Sequence, residues 1–242
     1  MKTVIFDFDG TLVDTIPLCI EAFKKTLKKY LNKDFSTQEI TSYFGPNETG
    51  ILKTLLDDKW ESALNDYLEY YESLHTSELK TVPGIVELLD YLKENKTRLA
   101  IVSGKGSESM AISLKHLGIE SYFEHVMTGS EHGAEKELHL KTLLESMGID
   151  STEAVYVGDT AYDMKVANSL GMVSLGAAWT ERARILDIMD ESPNAVFTKT
   201  FLMQNWLVQR FEEMKMNIRK QRITFLMLIF IVIATFLFVY IK

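Results

Sequence analysis

The chain has 242 residues, of which 46% are hydrophobic and 25% charged, a balance that is ordinary for a globular protein with a buried core. Its net charge of −8 argues against a nucleic acid as partner, because binding to a phosphate backbone needs a basic face. Cys19 is the only cysteine, so no disulfide can form within the chain, which is typical of a reducing compartment.

The first predicted element is a short buried strand, indicated by the apolar run 4–6. The motif Asp7-Phe8-Asp9-Gly10-Thr11 follows it. Because side chains two apart on a strand point the same way, Asp7 and Asp9 are expected to project together from its carboxyl end. Two such carboxylates repel each other unless a cation lies between them, and Mg²⁺ is the expected ion. The alternative is a plain strand and turn, since Asp and Gly are common turn residues.

Hydrophobic residues recur only at helical spacing between Asp14 and about Lys80, which predicts an all-helical segment over residues 15–80. The stretch 43–48 interrupts two of these helical patterns and contains both Gly and Pro. It is a candidate for a loop that selects a ligand. An ordinary turn between helices remains the alternative.

An alternation of strand and helix patterns begins at Val82. This alternation predicts a Rossmann-like, doubly wound α/β core with a parallel sheet and helices on both faces. The predicted strands are 98–102, 125–128, 154–157, 173–176 and 195–197, and the predicted helices are 85–93, 108–117, 137–147 and 163–170.

Two candidate phosphate-binding groups follow in the part of the chain where strand and helix patterns alternate. Ser103 and Gly104 end the strand 98–102, where a hydroxyl and free backbone N–H groups can hold a phosphate oxygen, although the same residues also form ordinary loops. Lys136 precedes the helix 137–147 and could offset phosphate charge. Lys105 and Lys141 are alternatives for this role. The structural alternative is that Lys136 is an ordinary solvated surface lysine.

A further carboxylate comes from the strand 154–157, which ends in Gly158-Asp159-Thr160. Asp163 lies four residues beyond Asp159, in the first turn of the next helix. It could face the same cation directly, through water, or serve as a charge at the helix N-terminus.

The C-terminal part predicts a membrane attachment. Residues 206–222 read as an amphipathic and basic linker helix, which packs on the protein or lies on a lipid surface. Residues 223–241 contain no charge, Gly or Pro and predict a transmembrane helix, with a buried core helix as the alternative. Arg219, Lys220 and Arg222 precede that segment, so the large N-terminal part is expected to face the cytoplasm.

The motif at residues 7–11, together with Ser103, Lys136 and the run 158–163, resembles the haloacid dehalogenase superfamily, in its phosphoglycolate-phosphatase-like branch. The resemblance implies a core of residues 1–14 and 81–205 and a helical cap of residues 15–80. Family members usually have Pro after the motif lysine, where this chain has Glu137.

The resemblance also implies roles for the site residues. Asp7 would be the nucleophile and Asp9 the acid and base. Mg²⁺ would be held by Asp7, the backbone carbonyl of Asp9, and Asp159, with Asp163 in support. The phosphate would be bound by Gly10, Thr11, Ser103, Gly104 and Lys136.

The implied activity is a Mg²⁺-dependent phosphatase that hydrolyses a small-molecule phosphate ester through an aspartyl phosphate. One alternative is a phosphosugar mutase on the same scaffold, which would need a basic group of the cap over the site. A second is a membrane-anchored binding protein without turnover. The sequence leaves the substrate and the oligomeric state open.

Overall fold

The computed structural model describes residues 2–76 and 79–240, with side chains throughout these ranges except at 214, 215, 217, 218 and 230–240. Contacts divide the chain into two units, Met1–Thr200 and Phe201–Lys242.

A parallel sheet forms the centre of the first unit. Its strands in chain order are β1 (Thr3–Phe6), β2 (Arg98–Val102), β3 (His125–Met127), β4 (Ala154–Gly158), β5 (Val173–Ala177) and β6 (Ala195–Phe197). They are arranged in the order β3-β2-β1-β4-β5-β6, and every neighbouring pair is parallel. The predicted parallel α/β core is therefore confirmed.

The strand order places a switch point beside β1. The chain moves outward from β1 to β2 and β3, then returns to β4 on the other side of β1. Phe6, the last residue of β1, pairs with Val157 of β4. In open α/β sheets, ligands bind at the carboxyl ends of the strands where the order reverses. Val4, Ile5 and Phe6 are fully buried, as expected for a central parallel strand.

Helices accompany the later strands. They are α5 (Ile85–Glu94), α6 (Ser107–Leu117), α7 (Lys136–Met147), α8 (Ala161–Ser169) and α9 (Ile185–Asp190). The ends of α6 and α7 are set by Gly118 and Gly148, whose φ angles of 67° and 63° suit a left-handed helix stop. The short helix α9 was not predicted, because six residues show too little of a helical period.

Residues 16–74 form a separate group of helices: α1 (Ile16–Leu31), α2 (Thr37–Thr41), α3 (Glu48–Leu56) and α4 (Trp60–Leu74). Pro17 lies in the first turn of α1, and Ser36 and Glu39 form a capping box at the start of α2. These helices share a hydrophobic cluster of their own, in which the ring centroids of Phe23 and Tyr67 are 4.5 Å apart. This cluster supports the wall of the cavity described below.

The second unit lies in helix α10 (Thr200–Tyr240), which contains the predicted linker 206–222. Of its described side chains, Met203, Leu207 and Phe211 are buried. On its exposed face, the guanidinium of Arg210 lies 4.9 Å from the ring centroid of Trp206 and 3.4 Å from the carboxylate of Glu213.

The transmembrane helix predicted over residues 223–241 is a wrong prediction. Among the residues that the structure describes, no helix is both long and apolar enough to cross a bilayer. Residues 223–240 continue the helix α10, which also carries Arg219, Lys220 and Arg222. Ile241 lies outside the described residues. The predicted membrane partner, the anchored localisation and its cytoplasmic orientation depended on this helix and are corrected with it.

Candidate active site

The ends of β1 and β4 bring two carboxylates to the switch point of the sheet. Asp7 follows β1 directly, and its backbone N–H donates to the carbonyl of Val157 at 2.8 Å. Asp159 follows β4. The first and the last of the sequence motifs, represented by Asp7 and Asp159 at 152 residues apart along the chain, are thus close together in space.

Gly10 allows the turn after β1 to pass against Asp159. Its φ is +80°, and a Cβ at this position would overlap the carboxylate of Asp159. Gly10 and its neighbour Thr11 do not lie on the wall of the cavity near these acids. Thr11 is fully buried, and its carbonyl accepts a hydrogen bond from Trp179 Nε1 at 3.0 Å. The described contacts of both residues are structural.

Lys136 joins the acids of the two strand ends. Its ammonium donates to Asp7 Oδ2 at 2.9 Å and also contacts Asp163 Oδ1. Burial alone would lower the pKa of Lys136, but the charges of Asp163 and Asp7 raise it well above its usual value. Lys136 is therefore a fixed cation at the floor of the site.

Asp163 is held in place from three sides. Its Oδ2 accepts from the backbone N–H and hydroxyl of Thr160 at 3.0 and 2.6 Å, forming a capping box at the start of α8. Its Oδ1 faces Lys136 and lies 3.3 Å from Tyr156 Oη. The carboxylate is completely buried, so its position is set by the fold.

The residues at the floor fit a hard divalent cation such as Mg²⁺. Asp7, Asp159 and Asp163 each place an oxygen within 4.8 Å of the others. Asp159 Oδ1 is buried without a hydrogen-bond partner, an arrangement that a cation would relieve. Burial, followed by the charge of Asp7, raises the pKa of Asp159 to about 8. Burial also raises the pKa of Asp7 to about 6, against the attraction of Lys136.

Asp9 faces a different lysine. Its Oδ1 contacts the hydroxyl of Thr15, and its Oδ2 lies 3.4 Å from Lys105 Nζ. Thr15 precedes α1, but its hydroxyl contacts Asp9 instead of a backbone amide of that helix. The sequence did not indicate this role for Thr15, because Thr before a helix is a common cap. The carboxylate of Asp9 is not in the cluster of Asp7, Asp159 and Asp163.

Lys105 is the second buried lysine of the site. Its Nζ is 3.3 Å from both Thr15 Oγ1 and Cys19 Sγ, and 4.5 Å from the ring centroid of Tyr71. Burial alone would lower the pKa of Lys105. Nearby negative charges, that of Asp9 first, raise this pKa well above its usual value. Lys141, the third candidate, is half-exposed and pairs with Glu137 at 2.6 Å, away from the cavity.

Ser103 and Gly104 lie at the end of β2, on the wall of the cavity. The backbone N–H of Ser103 donates to Met127 of β3 at 3.0 Å, which continues the strand pairing by one residue. Its hydroxyl is buried and is 3.5 Å from the backbone nitrogen of Lys105. Both residues are thus on the same wall as Asp7 and Lys136.

A cavity of about 610 Å³ connects this floor to the helices α1–α4. From the sequence-predicted loop 43–48, every residue except Tyr43 lines it. Helix α3 also contacts the core directly. Asn47 donates its side-chain N–H to the carbonyl of Gly129 at 2.9 Å, and Lys53 pairs with Glu131 at 2.6 Å. The loop therefore forms a wall of the cavity and a junction with the core.

Comparisons with known proteins agree with this architecture. The family model of haloacid dehalogenase-like hydrolases matches residues 4–177. A PpaX protein from Caldanaerobacter subterraneus is 35% identical over 184 residues, which cover 74% of this chain and 83% of that protein. The pyrophosphatase PpaX from Bacillus pumilus is 29% identical over 182 residues, covering 74% and 84%.

A solved structure of similar fold is a haloacid dehalogenase-like hydrolase from Streptococcus pneumoniae. It is 24% identical, covers 86% of this chain and 98% of its own, and has a TM-score of 0.68. The family match spans most of the chain and includes the motifs at both strand ends. The chain therefore belongs to the haloacid dehalogenase-like hydrolases and is an enzyme of their phosphatase type.

Proposed function

We propose that the protein is a Mg²⁺-dependent phosphatase that hydrolyses a small-molecule phosphate ester through an aspartyl phosphate on Asp7. The observation that supports this most is the convergence of Asp7 and Asp159 beside Lys136 at the floor of the cavity. Asp7 would lie within reach of a bound phosphate, and the ammonium of Lys136, which would help to hold that phosphate, lies next to Asp7.

Asp7 would attack phosphorus, and its carboxylate is already oriented for this. Its Oδ1 accepts from the backbone N–H of Phe8 at 2.7 Å, and its Oδ2 faces Lys136. Mg²⁺ at Asp7, Asp159 and Asp163 would supply positive charge that offsets the charge of the transferring phosphoryl group. Lys136 and Ser103 would donate hydrogen bonds to its oxygens.

Asp9 would act as general acid and then as general base. It lines the same cavity as Asp7 but faces the helices α1–α4, where the leaving group would lie. It would first protonate the leaving alcohol, then take a proton from the water that releases phosphate. The contacts with Thr15 and Lys105 orient its carboxylate toward that side.

We further propose the domain division that the sequence predicted, with a core of residues 1–14 and 81–205 and a cap of residues 15–80. The cap would exclude bulk water from the aspartyl phosphate and choose the substrate. Residues of both segments line the cavity, which supports this division. Because one relative is named a pyrophosphatase, inorganic pyrophosphate belongs among the test substrates, together with phosphoglycolate, nucleotides and sugar phosphates.

The test is an Asp7→Asn variant assayed for phosphate release from an aryl phosphate in the presence of Mg²⁺. The amide cannot act as the nucleophile, so we expect activity to fall by at least about a thousandfold. Asp58→Asn is the matched control, because Asp58 is an exposed acid that does not line the cavity. Thermal unfolding should show that both variants fold, and undiminished turnover by Asp7→Asn would refute the mechanism.

A further inference from the structure

The cavity has two chemically different sides. The acids, Lys136 and Ser103 lie at the floor, at the ends of the strands. The side contributed by residues 16–51 is mostly hydrophobic, although Thr41, Asn47 and Glu48 also line it. Its hydrophobic wall is formed by Ile16, Phe23, Phe44, Pro46 and Ile51. Phe23 and Ile51 are nearly fully buried, so they form a fixed part of this wall.

The cationic side chains on the described wall are already paired. Lys136 is held by Asp7 and Asp163, and Lys105 by Asp9. Arg182 donates hydrogen bonds to the carboxylate of Asp14, and its Nη2 lies 2.9 Å from both carboxylate oxygens.

His139 is a further basic group on the described wall, and its Nε2 lies 4.0 Å from the carboxylate of Glu135. Within the described part of the cavity, a second anionic group on a substrate would therefore have to compete with a protein carboxylate for its partner.

A carboxylate also lines the cavity next to the hydrophobic wall. Glu48 is buried, and its carboxylate accepts from the backbone N–H of Gly106 at 2.7 Å and from the hydroxyl of Ser109. A buried anion without a compensating cation is costly, and a like charge nearby increases that cost. The charge of Glu48 already acts on the buried Lys105. An anionic leaving group would therefore meet mainly the repulsion of Glu48, whereas a hydrophobic one would not.

We infer that the substrate is a phosphate monoester whose organic part is compact, hydrophobic and uncharged, because the cavity places a hydrophobic wall opposite Asp7 and Asp9 and its described cations are already paired. This inference rests on the proposed phosphatase function and names the substrate class of that site. Esters with a second phosphate or a carboxylate, and inorganic pyrophosphate, are expected to be poor substrates.

The test compares phenyl phosphate with 4-carboxyphenyl phosphate, two esters of similar reactivity that differ in one distant carboxylate. Inorganic pyrophosphate and phosphoglycolate complete the panel, and phosphate release is measured with Mg²⁺ present. We expect kcat/KM for phenyl phosphate to exceed that for the carboxylate ester by about tenfold or more, mainly through KM, because hydrophobic pockets discriminate on this scale. A preference for the carboxylate ester, for phosphoglycolate or for pyrophosphate would overturn the inference while leaving the phosphatase function intact.

A variant makes the test independent of the intrinsic reactivity of the esters. Phe44 is partly exposed and outside the proposed catalytic groups, so Phe44→Lys adds a cation to the hydrophobic wall with little disturbance of the core. We expect the preference for phenyl phosphate to shrink by about tenfold. Leu31→Lys, at an exposed position of α1 away from the cavity, should leave it unchanged.

An unchanged preference in Phe44→Lys would contradict the assignment of this wall to the leaving group. Absence of phosphate release from all four compounds, and from the nucleotides and sugar phosphates named above, would refute the proposed function, and the inference with it. The two failures are distinguishable, because the first leaves turnover intact and the second abolishes it.

Discussion

The two acids of the first motif contact different lysines, and this division is central to the site. Asp7 faces Lys136 and the acids at the end of β4, whereas Asp9 faces Lys105 and Thr15. The period-two rule of a strand predicted that Asp7 and Asp9 would project together. However, β1 ends at Phe6, so that rule no longer applies to Asp9. This division supports the roles proposed above, with Asp7 as the nucleophile and Asp9 as the acid and base.

Replacing Gly10 tests the close approach between the two strand ends. Gly10→Ala should lower the free energy of unfolding by about 1 kcal/mol or more, because an L side chain is strained at positive φ. It should also reduce kcat, because the new Cβ would displace the carboxylate of Asp159. Urea unfolding and phosphate release measure the two effects.

Gly118→Ala is the matched control for Gly10→Ala. Gly118 also has a positive φ, but a Cβ there would meet no neighbouring atom. It should lose a similar amount of stability and keep its activity. Full activity in Gly10→Ala would contradict the structural role given to Gly10.

The acids at the floor predict how stability depends on pH when metal is removed. The pKa of Asp159 is about 8 in the folded protein and near 3.8 when unfolded. Between these values the folded state binds a proton that the unfolded state has lost, so stability should fall as pH rises from about 4 to about 8.

Thermal unfolding in a chelator, followed from about pH 5 to about pH 8, measures this dependence. Asp159→Asn cannot titrate and should show a shallower decline. If the variant declined as steeply as the unmodified protein, the raised pKa of Asp159 would not be the cause.

At the scale of elements, the junction between α3 and α6 joins the helical segment to the core. Glu48, in the first turn of α3, accepts from Gly106 and Ser109 at the start of α6. Asn47 contacts the loop after β3 through its side chain and through its backbone N–H, which donates to Ser130 at 2.9 Å. These polar contacts hold the loop 43–48 against the cavity.

Removing the carboxylate at this junction should be costly. Glu48→Ala would leave the N–H of Gly106 without its buried partner and would leave the hydroxyl of Ser109 only the carbonyl of Gly106, which we expect to reduce stability by about 1–3 kcal/mol. Urea unfolding measures the loss. Glu69→Ala, at an exposed position of α4, should stay within about 0.5 kcal/mol of the unmodified protein. Equal stabilities for the two variants would show that the junction contributes little.

For the molecule as a whole, the sequence predicted the parallel sheet because each strand is a short apolar run bounded by turn residues. It also predicted which strand ends carry polar groups, since a motif at a strand end is local in the sequence. It could not decide between Lys136 and Lys105, because each contacts an acid that is about a hundred residues or more away along the chain. Both lysines proved to lie at the site, Lys136 with Asp7 and Asp163 and Lys105 with Asp9.

The C-terminal prediction was wrong for a different reason. Composition alone suggested a membrane span over 223–241, but among the described residues no helix meets the requirement of length and hydrophobicity together. The apolar residues that the structure describes there continue the charged helix α10.

The proposed mechanism depends most on one cation that is bound by acids from the ends of β1 and β4. Calorimetric titration of Mg²⁺ into the purified protein near pH 8, with Asp159→Asn titrated in parallel, tests this directly. We predict one equivalent bound per chain and a loss of at least about tenfold in affinity for the variant, because Asp159 Oδ1 would no longer be a charged ligand. No binding of Mg²⁺, or equal binding by both proteins, would contradict the account.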